Sequence, residues 1–202
     1  MNHIKYFVIG LSTSLLSACF TPPAQTASEA PKGEYILDPA HTSVVWSLKH
    51  AGLSNYTARF DKVSGALSFD PDSPENSRVD IRIDPASVST GDAKFDNEIA
   101  NKGSYFDTEK YNEIRFTSTS IKITGDNTGE ITGNLLFRGQ THPLTLSATF
   151  NGAGKSFGHR GKTLGFSAMG QLKRSDFGLT HLINFGIGDE VTLAIETEFN
   201  EN

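Results

Sequence analysis

Three patterns in the 202-residue sequence predict an all-β chain, an eight-stranded antiparallel lipocalin-like barrel with one short helix across an end. Apolar residues recur at every second position in long rows, turn-forming clusters separate the rows, and small residues interrupt the apolar faces. Val79, Ile81 and Ile83 alternate with Asp80, Arg82 and Asp84; Ile131, Gly133, Leu135 and Phe137 alternate with Thr132, Asn134 and Leu136. The same period runs through residues 144–150, 164–172 and 191–199. Side chains on a strand point alternately to its two faces, so these rows give one apolar and one wetted face, the mark of antiparallel sheet.

The turns follow from residue type. Gly125-Asp126-Asn127-Thr128-Gly129, Arg138-Gly139-Gln140 and Asn151-Gly152 supply residues that accept left-handed backbone or bond their own main chain. Many long strands leave exposed edges unless the sheet closes, and about eight strands enclose room for one small ligand. Gly65, Gly133, Ala148, Ala168 and Gly170 stand among Phe and Leu on the apolar faces. They fit either a hollow, aromatic-lined interior or strand bends at barrel corners. One stretch breaks the period: in residues 90–103, Phe95, Ile99 and Ala100 fall at helical spacing. Thr90 or Asp92 serves as a starting cap there, and Gly103 as a stop.

The N-terminus reads differently. Lys5 precedes an apolar run, residues 6–16, too short to span a bilayer, and Leu16-Ser17-Ala18-Cys19 follows it. This resembles the lipobox of bacterial lipoproteins. The expected layout is a signal peptide over 1–18, a lipidated Cys19 with a flexible tether over 19–33, and a barrel domain over 34–202. The tether is assigned from its Pro, Ala, Thr and Ser content. Acyl chains such as palmitate on Cys19 would anchor the chain to a membrane. Phe20 is not the Asp that favours inner-membrane retention, so the expected address is the outer membrane, facing the periplasm.

Composition narrows the function. Without residues 1–18 the net charge is about −6, and no Lys/Arg run occurs, which argues against nucleic acid as a partner. With the single cysteine acylated, no thiol remains for a disulfide. No Gly-x-Ser-x-Gly is present, and His41, His50, His142, His159 and His181 lie at no metal-binding spacing. Residues 70–75 cluster carboxylates but lack the glycine and spacing of a calcium loop, and read as an acidic turn. The expectation is a non-enzyme with no cofactor and no metal.

From Asp38-Pro39-Ala40-His41-Thr42-Ser43 to Gly188-Asp189-Glu190-Val191, an ordered series of motifs resembles the YceI-like family, exported barrels that bind polyisoprenoid and related lipids. They include Asp38-Pro39-Ala40-His41-Thr42-Ser43, the strand ending His50-Ala51-Gly52, and Gly133 to Leu144 with its Arg138-Gly139-Gln140 turn. Lys173-Arg174-Ser175-Asp176-Phe177-Gly178-Leu179 and Gly188-Asp189-Glu190-Val191 complete the set. Family members often carry Arg-Asp-x-His-Leu at the helix start, where this chain has Gly91-Asp92-Ala93-Lys94-Phe95. The resemblance implies non-catalytic binding, storage or transport of an isoprenoid quinone or polyprenyl phosphate, and a homodimer as one form of the barrel. Trp46, Phe60, Phe116, Phe137, Phe166 and Phe177 are then candidates for the cavity wall, or simple filling of the barrel. His50, Asp92, His142 and Arg174 are candidates for a polar mouth. Against that, Asp92 reads equally as a helix cap and Arg174 as the partner of Asp176. Two other readings stay open: an enzyme acting on a lipid head group, and a periplasmic interaction module with a filled barrel.

Overall fold

The structure is a computed structural model and describes residues 23–156 and 158–202. The signal-peptide and lipidation expectations for residues 1–18 and Cys19 lie outside the described residues. Among the described residues, eleven strands form one antiparallel sheet. They are β1 (Gly33–Leu37), β2 (Ser43–His50), β3 (Ser54–Phe60), β4 (Val63–Phe69), β5 (Arg78–Ile83) and β6 (Val88–Ser89), then β7 (Ile114–Gly125), β8 (Thr128–Phe137), β9 (Gln140–Gly154), β10 (Thr163–Lys173) and β11 (Ile187–Glu201). The ring β1-β4-β5-β7-β8-β9-β10-β11 closes where β11 pairs with β1, with Tyr35 opposite Glu201 and Leu37 opposite Phe199.

Eleven strands make an eight-strand barrel because three staves are bent. β2 carries on from β1, β4 from β3 and β6 from β5, each after a short break. Two breaks share a sequence, Asp38-Pro39-Ala40 and Asp84-Pro85-Ala86. Proline removes a ladder donor, and each Asp side chain accepts the N–H two residues on, Ala40 and Ala86, at 2.9 Å in both cases. Either turn is a single 3-10 loop that re-aims the strand.

The alternating rows face as expected. On β9, Leu144, Leu146, Ala148 and Phe150 are buried while Thr145, Ser147 and Thr149 are exposed. The inward glycines have another cause than the sequence offered. A methyl group on Gly133 would meet the Phe116 ring at 2.5 Å and the Thr117 carbonyl at 2.6 Å, and one on Gly170 would meet Leu146 at 2.6 Å. These glycines therefore do not open space directly; they let a neighbouring large side chain lie over the strand, and Gly133 also stands where the β7–β8 register shifts. The hollow depends instead on residues such as Ala148 and Ala168, which pair across β9 and β10 and both line the interior.

At one end β6 pairs only with β3, among the described residues, and leaves the wall unpaired toward β7. The helix α1 (Ala93–Asn101) packs beside β6 at that place, burying Ile99 and Ala100. Asp92 caps it by accepting from Lys94 N at 2.9 Å. Gly103 does not stop it: the helix ends at Asn101 with Lys102 in extended conformation. At the opposite end the chain before β1 is held down. Ala24 exchanges main-chain bonds with Ala153 at 2.6 and 3.0 Å, and Ala30 is buried. Asn127 bonds Gln25 O at 2.7 Å and Ala27 N at 3.1 Å. Of the segment expected to be a flexible tether, residues 24–33 thus lie against the barrel, because small alanines fit where its composition promised little burial.

Candidate functional site

The inward rows do not meet across the barrel. They enclose a cavity of about 890 Å³, within the roughly 300–1,000 Å³ usual for small-molecule sites. Its lining runs from Thr26, Ala27 and Asn127 at the strapped end to Phe95, Tyr105 and His181 at the α1 end. Aromatic side chains gather at both ends. Phe150 lies 5.5 Å from Phe166 and 6.4 Å from Phe69 at the strapped end. Phe106 lies 5.4 Å from Phe137, and Phe95 6.1 Å from Tyr105, at the other. Between them the wall is chiefly aliphatic, with Ile81, Ile131, Leu146, Leu193 and Ile195.

Polar groups on the wall are mostly engaged by the protein itself. Thr42 Oγ1 donates to Asp38 O at 2.7 Å and lies 3.1 Å from Thr197 Oγ1. Arg174, 6% exposed, directs its guanidinium to four main-chain carbonyls: Gly188 at 2.8 Å, Leu179 and His181 at 2.9 Å, and Ile187 at 3.0 Å. Burial pulls its pKa below the ordinary arginine value, with the Asp189 carboxylate opposing. Its acid neighbour is thus Asp189 rather than Asp176; Asp189 in turn accepts from Ser175 N at 2.9 Å and Ser175 Oγ at 2.8 Å. The polar rings that line the cavity at the α1 end are the imidazoles of His50 and His181 and the phenols of Tyr56 and Tyr105. Burial raises the Tyr105 pKa, so that hydroxyl stays protonated.

Trp46, Phe60, Phe116, Phe137 and Phe166 line the cavity, as do His50 and Arg174. Three other sequence candidates are elsewhere. Phe177 is buried behind the wall, 5.6 Å from Phe137 and 5.0 Å from the His142 ring. His142 packs on that ring, and Asp92 is occupied in capping α1. Sequence reasoning passed over Tyr56, Phe95, Tyr105 and His181, whose neighbours come from distant segments: Tyr105 meets His181 at 5.0 Å. It also missed a surface group, Asp38, His41 and Glu198, whose donor atoms lie within 4.8 Å of one another. Among the described residues no helix is long and apolar enough to cross a membrane.

A closed antiparallel barrel around an apolar cavity, with a helix over one end, defines the class of protein by its architecture. The chain belongs to the YceI-like family, whose domain model matches residues 35–199. A Pseudomonas putida relative, a UPF0312 protein, is 36% identical over 177 residues, covering 86% of each chain. Among solved structures, a Campylobacter jejuni YceI protein shares 32% identity with a TM-score of 0.66, over 74% of this chain and 87% of its own. A polyisoprenoid binding domain from Saccharophagus degradans has the same fold at 16% identity and a TM-score of 0.60, over 85% of this chain and 100% of its own.

Proposed function

We propose that this chain binds an isoprenoid-type lipid, an isoprenoid quinone or polyprenyl phosphate, and stores or carries it without changing it chemically. The observation that carries this reading is the apolar cavity of about 890 Å³ lined from both ends of the barrel. An apolar chain needs no hydrogen bonds there, and each methylene taken from water contributes about 0.8 kcal/mol. The polyisoprenoid binding of the Saccharophagus degradans domain supports the ligand class. A head group would rest at the α1 end beside His50, Tyr105 and His181. The hollow interior speaks against an interaction module with a filled barrel.

The lipobox-like Leu16-Ser17-Ala18-Cys19 supports placing the protein in the periplasm, acylated on Cys19 and held to the outer membrane. Homodimerisation belongs to the same proposal. Organic extraction of the purified chain followed by mass spectrometry tests the ligand reading. The expected result is a co-purifying isoprenoid quinone or polyprenyl species. Finding no apolar molecule, together with no uptake of a labelled isoprenoid, would overturn it.

A further inference from the structure

Two loops at the α1 end stand out by what they expose. Leu53, in the β2–β3 turn, is 87% exposed, and Phe185, in the β10–β11 loop, 80%. Ala51 N donates to Gly186 O at 2.8 Å, so the two turns are tied together and their apolar side chains share one lip. Both turns hold non-glycine residues in left-handed backbone, Ala51 at φ 52° and Leu182 at φ 61°. Such conformations persist only where the surroundings enforce them. In a chain that is 20% charged, residues 50–58 and 177–188 contain no Asp, Glu, Lys or Arg. The inner side of the same loops is cavity wall: His50, Leu179, His181, Leu182 and Ile187 all line it.

We propose that this lip docks on a lipid bilayer, with Leu53 and Phe185 entering the acyl region and setting the α1 end of the cavity against it. The inference rests on the lipid-binding reading and deepens it. An apolar cargo crossing water between membrane and barrel would lose its burial on the way, and a cavity end seated in the leaflet removes that step. A bilayer suits this lip better than a protein does. Two protruding side chains on a pair of short loops present no broad complementary patch of the size a stable protein interface needs, whereas an acyl layer requires no matching shape. The absence of basic residues from both loops makes the contact hydrophobic, so it should depend little on anionic lipid or salt.

The test uses the full chain. Phe185→Trp places an indole in the lip, and quenching by brominated phosphatidylcholine vesicles is compared with that of the unsubstituted chain, which reports Trp46 alone. The expected result is added quenching, the same with and without phosphatidylglycerol. The double variant L53D/F185D alters two residues outside the cavity lining. It should slow uptake of vesicle-embedded ubiquinone by at least about tenfold, while its equilibrium affinity for the soluble apolar dye 1-N-phenylnaphthylamine stays unchanged. No quenching of the Phe185→Trp variant beyond that of Trp46, or undiminished uptake by the double variant, overturns the docking proposal. A dimer that the double variant dissociates, with no quenching, also overturns it and assigns the lip to a second copy. If the unsubstituted chain fails to bind the dye at all, the lipid-binding reading falls, and that outcome is separate from any quenching result.

Discussion

His41 Nδ1 stands 3.0 Å from Asp38 Oδ2 and 4.0 Å from Glu198 Oε2, on the outer wall where the first stave bends. Asp38 also accepts from Asn200 Nδ2 at 3.0 Å and so ties the bend to β11. The hydrogen bond to Asp38, then its charge and that of Glu198, raises the His41 pKa above its ordinary value. The bond to His41 holds the Asp38 carboxyl below its own. A raised histidine pKa contributes stability that is complete below the unfolded value of about 6.5 and is lost as pH rises through the folded one. A lowered carboxyl pKa contributes stability above its unfolded value, lost only at more acid pH as the carboxyl protonates. His41→Ala should therefore melt below the unsubstituted chain at about pH 5–6, with the gap closing toward about pH 9. Thermal melts across that range check it, and a gap independent of pH would contradict the assignment. Asp38 and His41 stand three apart in an obvious motif, but Glu198 and Asn200 come from the far end of the chain. No local spacing announces that meeting.

The β10–β11 loop shows what a single element requires. Arg174 stands beneath it and satisfies four carbonyls of residues 179–188 from within. Arg174→Met keeps the aliphatic stem but leaves those buried acceptors without a donor, each a loss of about 1–3 kcal/mol. The variant should lose at least about 3 kcal/mol in denaturant unfolding, and a loss under about 1 kcal/mol would show the clamp to be dispensable. The strands themselves were legible because period two is local: every row read along β5, β8, β9, β10 and β11 faces as its alternation required. The helix was legible from Phe95, Ile99 and Ala100. The bent staves, the strap at Ala24 and the target of Arg174 were not, since each depends on a partner far along the chain. Gly133 and Gly170 left a hollow barrel and bent strands both open, and their contacts act by a further route. They accommodate Phe116 and Leu146 lying across them, and the room is made at Ala148 and Ala168.

At the scale of the whole molecule the two ends differ. The strap over residues 24–30 closes against the β7–β8 turn, while the other end carries α1, the polar rings of the cavity lining and the apolar lip. All four non-glycine residues with positive φ among the described residues, Ala51, Asp107, Arg138 and Leu182, fall in loops at the lip end. With Cys19 acylated as proposed, the five residues from there to Ala24 reach at most about 18 Å. The anchor then holds the strapped end, and the lip points away from its own membrane, an arrangement suited to carriage between two surfaces.

The central claim is that the hollow is the binding site, and one substitution addresses it. Ala168 pairs with Ala148 on one side of the cavity wall, and a phenylalanine at 168 would fill space that is otherwise free. Titration with a long-chain isoprenoid, followed by native mass spectrometry, should show one molecule bound per unsubstituted chain. For Ala168→Phe it should show binding weakened by at least about tenfold, with the melting temperature retained. Undiminished binding by the filled variant, or none by the unsubstituted chain, would contradict the account.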